Sequence, residues 1–151
     1  MKKLKIGDLL PEFKLQNQKE QWVNSNQLVG ESALVIYFYP KDDTPGCTAE
    51  ACAFRDQYED FTAAGAKVIG ISADAVESHK QFAEKYRLSF DLLSDINNEV
   101  RRSFGVPKSM LGLLPGRVTY VFDKKGRLIH QFNSQFNAKK HIEEALVALR
   151  K

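Results

Sequence analysis

The chain has 151 residues, which fits one domain spanning 1–151 rather than two. Hydrophobic residues make up 43%, enough for a packed core without metal or disulfide staples. Lys and Arg total 22 against 19 Asp and Glu, and the formal net charge of +3 is too mild to argue for nucleic acid or an anionic membrane.

Met1, Lys2, Lys3 and Lys5 read as a solvated terminus. No apolar segment with a small-residue cleavage site follows Met1, so a cytoplasmic address is expected. Phe13 to Gln16 and the Trp22-Val23 pair predict a short hairpin across Asn17-Gln18-Lys19-Glu20. Ala33 to Tyr39 is continuous, β-rich and far too short to span a bilayer; it predicts a strand buried on both faces. Cys47, Ala51, Phe54, Tyr58 and Phe61 form one helical stripe, and Gly65 is its stop. Lys67 to Ile71 is the next strand. Asp74 with Glu77 resembles a capping box opening a helix that carries Val76, His79, Phe82, Ala83 and Tyr86. Phe90 to Leu93 is a short strand, and a short helix covers about Asn97 to Phe104 before Gly105. Val118 to Phe122 and Arg127 to Phe132 are strands joined by the turn Asp123-Lys-Lys-Gly126. The last helix holds Ile142, Ala145, Leu146 and Leu149 on one face.

This order predicts an α/β domain with a mostly parallel central sheet, a C-terminal antiparallel hairpin and helices on both sides, a thioredoxin-like plan. Pro40 to Cys47 joins the first central strand to its helix, at the carboxyl end of a strand, where open α/β sheets place their sites. Thr44 suits the N-cap and Pro45 the first helical position. Cys47 then falls in the first helical turn, near free backbone N–H groups and the positive end of the helix dipole. Both favour the nucleophilic thiolate. A small buried core cysteine is the competing reading, and a loop-to-helix junction argues against it.

Cys52 lies five residues on. In an intact helix that is roughly 140° around the axis and about 8.7 Å between Cα atoms, beyond the ~7 Å limit for a disulfide. Either the two never pair, or the first turns unwind; from the residues alone a structural thiol is an equal reading of Cys52. Two cysteines in such a chain do not describe a secreted disulfide framework. Four intervening residues do not fit a two-residue redox motif. His79, His130 and His141 do not complete a zinc site with sensible spacing, and read as structural histidines.

Phe38-Tyr-Pro-Lys-Asp-Asp-Thr-Pro-Gly-Cys-Thr-Ala-Glu-Ala-Cys-Ala-Phe-Arg-Asp56 resembles the active-site segment of peroxiredoxins, in particular the bacterioferritin comigratory protein or peroxiredoxin Q group. Pro40, Thr44 and Cys47 match the family pattern in full. Gly70 to Asp74, Leu92 to Asp95, Phe104 to Val106 and Gly116 to Asp123 are similar to later family runs; Asp91 departs from a common Pro. The resemblance implies a thiol peroxidase. Cys47 attacks the peroxide, Arg117 stabilises the charge moving onto the leaving oxygen, Thr44 hydrogen-bonds sulfur and peroxide, and Pro40 shields the sulfur. Glu50 and Arg55 also match the motif, with an ion pair or helix-surface role as an equal account. The resemblance further implies a sulfenic acid on Cys47, a Cys47–Cys52 intrachain disulfide and recycling by thioredoxin, or else glutaredoxin. No cofactor, metal, nucleic acid or membrane is needed, and an intrachain disulfide leaves a monomer as the expectation. A thiol–disulfide oxidoreductase without peroxidase activity and a binding domain with structural cysteines are the alternatives.

Overall fold

The computed structural model describes residues 3–107, 116–135 and 137–151, so Met1 and Lys2 of the Lys-rich start lie outside the described residues. The elements are β1 (Lys14–Gln16), β2 (Trp22–Asn24), α1 (Ser25–Leu28), β3 (Ala33–Phe38), α2 (Pro45–Asp56), α3 (Tyr58–Ala63), β4 (Ala66–Ser72), α4 (Val76–Tyr86), β5 (Asp91–Ser94), α5 (Glu99–Phe104), β6 (Val118–Phe122), β7 (Leu128–Asn133) and α6 (Ala138–Leu149). The five-stranded sheet has the order β5-β4-β3-β6-β7. Pairs β3–β4 and β4–β5 are parallel, and β3–β6 and β6–β7 antiparallel, so β6 alone runs against the rest. The β1–β2 hairpin is separate, and the Asn17 carboxamide oxygen accepts from the Lys19 and Gln21 N–H groups across its turn.

Strand alternation explains the two cores. Val35, Tyr37 and Tyr39 point to one face and pack with Ala51 and Phe54 of α2, Phe61 of α3, Phe82 of α4 and Ile142 and Ala145 of α6. Leu34, Ile36 and Phe38 point to the other and pack with Leu28 of α1 and Val100 and Phe104 of α5. Burial on both faces is why β3 reads as an unbroken apolar run. The sheet thus sits between two helical layers, with the carboxyl ends of β3 and β4 opening toward the N-termini of α2 and α4.

Three local expectations are corrected. The single helix from Cys47 to Phe61 is two, because Gln57 (φ −106, ψ 18) breaks the ladder between α2 and α3 while the apolar stripe continues. Asp74 does not cap α4; Ala75 holds the N-cap position without a side-chain bond, and the Asp74 carboxylate accepts instead from Ser72 Oγ (2.6 Å) and the Asp42 N–H (2.9 Å). The helix α5 starts two residues late, and its first N–H groups are satisfied by Asp95, whose carboxylate accepts from Val100 and Arg101. The short α1 has no apolar stripe to announce it; the Asn24 side chain caps it at Asn26 N. Asp91, the departure from the family pattern, meets the Asn17 side chain at 3.3 Å, on the β1–β2 hairpin.

Candidate active site

The chain leaves β3 at Phe38 and crosses to α2 through Pro40–Thr44, and this crossing is tightly held. The buried Asp42 carboxylate accepts from Tyr39 Oη (2.5 Å) and Ser78 Oγ (2.8 Å) and meets His79 Nδ1 at 2.7 Å. His79 Nε2 donates to the Leu93 carbonyl (3.0 Å). Asp43 sits in the left-handed region (φ 56) and takes Lys85 Nζ at 2.8 Å and Tyr86 Oη at 2.7 Å, contacts that lower its carboxyl below the usual range. Asp42, Asp74 and His79 bring ligand atoms within 4.8 Å of one another. Those atoms are engaged by Tyr39, Ser72, Ser78 and the Asp42 N–H, so the cluster works as a hydrogen-bond brace between the loop and α4.

Thr44 has the extended backbone of an N-cap (φ −105, ψ 155), yet its hydroxyl does not cap; it donates to the Lys41 carbonyl at 2.9 Å. The expectation of side-chain capping is corrected, because the tight turn places that carbonyl closer than the helix N–H groups. Pro45 opens α2, and Cys47 follows in the first turn. Cys47 is only 1% exposed and belongs to the core that faces α6. Its junction position therefore did not keep it out of the interior, and burial and polar contact coexist there.

The polar contact comes from Arg117, the residue before β6. Its Nη2 lies 3.4 Å from Cys47 Sγ, its Nη1 donates to Glu50 Oε1 at 2.7 Å, and its Nε donates to the Gln135 carbonyl at 3.1 Å. A Cβ on Gly46 would sit 3.0 Å from Nη2, so the bare glycine gives the guanidinium room at the start of α2. Glu50 is fully buried. Burial pushes its pKa up to about 8, against the downward pull of Arg117. Burial by itself would lower Arg117, but the Glu50 and Cys47 charges outweigh it and raise the arginine further. The guanidinium is a fixed cation at every working pH.

Behind Glu50 stands His141. Its Nε2 donates to the Ser134 carbonyl (2.8 Å), which leaves Nδ1 to accept from Thr119 Oγ1 (2.7 Å). Burial lowers its pKa to about 4, so the ring is neutral at pH 7. Glu50 Oε2 lies 3.6 Å from that nitrogen and has no hydrogen-bond partner among the described residues. His130 pairs with Glu144 at 3.1 Å. All three histidines thus have structural partners.

Of the expected site residues, the fold brings Cys47 and Arg117 into contact and places Pro40 and Thr44 on the loop that leads to them. Pro40 is half-buried and offers no donor. Cys52 is half-buried on the same unbroken α2, and both thiols are free. Arg55 turns away from the sulfur, donating to the Tyr86 carbonyl at 2.7 Å and pairing with Asp56. Glu50, set aside at the sequence level as ambiguous, is a direct partner of Arg117. Its spacing of three from Cys47 and four from Phe54 was the signal for an inward-facing position. Thr119 and His141 gave weaker signals; His141 lies four residues before Ala145 on the apolar stripe of α6.

The chain is similar in sequence and in fold to known proteins. The model of the AhpC/TSA family matches residues 6–131. Peroxiredoxin Q of Triticum aestivum is 53% identical over 144 residues, covering 95% of this chain and 66% of the wheat protein. Peroxiredoxin Q of Sedum lineare is 52% identical over 147 residues, covering 97% and 78%. Among solved structures, peroxidoxin BcpB of Mycobacterium tuberculosis superposes with a TM-score of 0.89 at 37% identity, covering 97% of each chain. The bacterioferritin comigratory protein of Xanthomonas campestris gives 0.83 at 33% identity, covering 91% of this chain and 90% of the other.

The two plant relatives are named as chloroplastic proteins, which overturns the cytoplasmic address expected from the sequence. A targeting segment is read separately from the fold, so neither the composition nor the packing of the domain carried that information. The motif around Cys47, the Arg117 contact, the fold and the relatives converge, and the chain belongs to the AhpC/TSA family, within its peroxiredoxin Q group.

Proposed function

We propose that this peroxiredoxin reduces hydrogen peroxide and organic hydroperoxides through Cys47, in a single domain spanning 1–151. The observation that carries the reading is the 3.4 Å contact of Arg117 Nη2 with Cys47 Sγ, held from behind by Glu50 and the Gln135 carbonyl. The Cys47 thiolate attacks one peroxide oxygen and the O–O bond breaks. The sulfur becomes a sulfenic acid, and the other oxygen leaves as hydroxide or alkoxide and takes a proton to become water or alcohol. Arg117 sits beside the sulfur, where negative charge moves toward the departing oxygen, and its two anchors, Glu50 and the Gln135 carbonyl, keep it there without reorganisation. Pro40 closes the loop side without adding a competing donor. Thr44 Oγ1, already donating to Lys41, keeps its lone pairs free to accept a hydrogen bond from the peroxide.

Cys52 then attacks the sulfenic acid and releases water, forming a Cys47–Cys52 disulfide. The sequence has 2 cysteines, so an intrachain disulfide has no other pairing. Both lie on an intact α2, so the step requires its first turns to open. An external dithiol of the thioredoxin type, or a glutaredoxin, reduces the disulfide by exchange. The reaction closes within one chain, which favours a monomer. The Xanthomonas neighbour is described by its alkyl peroxide reduction activity, which supports organic hydroperoxides as substrates here.

The test adds one equivalent of hydrogen peroxide to the reduced protein and follows free thiols and intact mass. Wild type should lose both thiols and two hydrogens. Cys47→Ser should be nearly inert, and Cys52→Ser should stop at the sulfenic acid or oxidise further. Retention of both thiols in wild type would defeat the peroxidase reading and favour a thiol–disulfide oxidoreductase or a structural domain.

A further inference from the structure

The antiparallel ladder between β3 and β6 runs in register from Leu34↔Phe122 to Phe38↔Val118. One step on, Tyr39 would face Arg117, and the next step would set Pro40 against Gly116. The ladder stops there for a chemical reason. The Tyr39 N–H faces β4, where it donates to the Ile71 carbonyl at 3.1 Å, so the next bonded pair toward β6 would be Pro40 with Gly116, and Pro40 has no N–H to donate. The ladder thus ends just short of Pro40 and Arg117, at the point where the site needs them in fixed relation.

The side chain of Arg101, on α5, bridges them. Its Nη1 donates to the Gly116 carbonyl at 2.8 Å, and its Nη2 donates to the Tyr39 carbonyl at 2.9 Å. Those carbonyls belong to the peptide bonds leading into Arg117 and into Pro40. A guanidinium is a rigid planar fork, so holding both oxygens sets the distance between them. The fork is itself held: Arg101 lies over the Phe38 ring at 5.6 Å, and its backbone N–H donates to Asp95. The residue is 8% exposed, and its guanidinium contacts are neutral carbonyls. Burying a cation against neutral acceptors costs stability that an apolar residue would not. Burial lowers its pKa to about 10, against the opposing charges of Asp95, Tyr120 and Cys47, and that leaves it charged at pH 7.

We infer that Arg101 is a positioning residue for peroxide reduction, fixing the Pro40 loop and Arg117 in register on either side of Cys47; this rests on the peroxidase reading. The test is the ratio of two second-order rate constants at Cys47, one with hydrogen peroxide and one with iodoacetamide, in a Cys52→Ser background. Thiolate fraction enters both rates and cancels, and each variant is first shown by circular dichroism to be folded under the assay conditions, because opening that exposes the buried Cys47 speeds alkylation while it slows peroxide reduction. Alkylation needs only an exposed thiolate, whereas peroxide reduction also needs the aligned loop and cation. In Arg101→Met the ratio should fall about 10²-fold, as for a reacting group displaced by an ångström. In Arg101→Lys, which keeps the charge and reaches one carbonyl at a time, it should fall about tenfold. The Lys variant decides alone where the Met variant does not fold. A ratio within about threefold of wild type overturns the inference, because a folded variant whose loop and cation have moved must lose peroxide rate relative to alkylation. A wild-type protein that reacts with peroxide no faster than with iodoacetamide instead defeats the peroxidase reading itself.

Discussion

Replacing Arg117 with Met deletes three contacts at one stroke, to Cys47 Sγ at 3.4 Å, Glu50 Oε1 at 2.7 Å and the Gln135 carbonyl at 3.1 Å. The first bears on rate. Loss of one preorganised donor at a charge-developing centre costs roughly 10²–10³-fold, about 2.7–4 kcal/mol. The second bears on stability. Breaking a buried ion pair costs about 3–5 kcal/mol when the remaining partner stays charged. Glu50 has an escape, because burial holds its pKa near 8 even with the arginine present, and without it the carboxyl stays protonated at pH 7. The stability loss in Arg117→Met should therefore be small at pH 6 and larger at pH 9, while the rate loss persists at both. Arg117→Lys keeps a cation but cannot reach all three partners, and should lose about tenfold in rate. Stopped-flow mixing with peroxide gives the rates, and urea titration at the two pH values gives the stabilities. A peroxide rate for Arg117→Met within about threefold of wild type would refute the role assigned to the sulfur contact.

Asp42→Asn should cost about 2–4 kcal/mol in a urea titration, because the carboxylate that joins Tyr39, Ser78 and His79 is fully enclosed. A loss under about 0.5 kcal/mol would show that the brace contributes nothing. Gly116→Ala would put a Cβ 1.9 Å from the Pro107 carbonyl oxygen, so the backbone before Arg117 must move. Its peroxide rate should fall about tenfold or more, and an unchanged rate would mean that Arg117 tolerates the displacement. Glu50 keeps its proton in the fold up to about pH 8 while the unfolded chain loses it near 4.5, so its contribution declines as pH rises through that window, by at most about 5 kcal/mol. His141 resists protonation down to about pH 4 instead of 6.5, so its contribution grows as pH rises from 4 to 6.5, by at most about 3.5 kcal/mol. The two slopes oppose one another between pH 4.5 and 6.5, and only the Glu50 decline remains from 6.5 to 8. Denaturant titrations in a Cys47→Ser background should lose that decline on Glu50→Gln, and equal slopes in the two proteins would refute the burial of a protonated Glu50.

The run from Ala33 to Tyr39 already specified a strand enclosed on both faces, since no other common element buries seven consecutive apolar side chains in so short a length. Thr44 before Pro45 placed Cys47 in the first turn of the following helix, because turn and helix-start preferences are local and act within a few residues. The sequence also separated the late hairpin from the parallel strands, since Asp123 and Gly126 carry the turn by their own chemistry: the Asp123 carboxylate accepts from Lys125 and Arg127, and Gly126 takes φ +83.

What the sequence could not decide is which distant groups meet. Arg117 and Cys47 are 70 positions apart, and Arg101 and Tyr39 are 62 apart. Their contacts depend on β6 inserting antiparallel beside β3 and on α5 packing under the sheet. Resemblance named Arg117, but no local pattern marked Arg101, and Glu50 was ambiguous between helix surface and interior. The fate of a charged side chain is set by the net of desolvation and pairing, and both terms are defined only once the partner is in place. For the same reason Thr44 and Asp74, each in sequence contexts that favour capping, turned to nearer partners at Lys41, Ser72 and Asp42. Local sequence determined the elements, the loop and the nucleophile's place on its helix; the tertiary structure alone decided the burial of Cys47 and the charge network around it, because those follow from long-range packing that no short segment encodes.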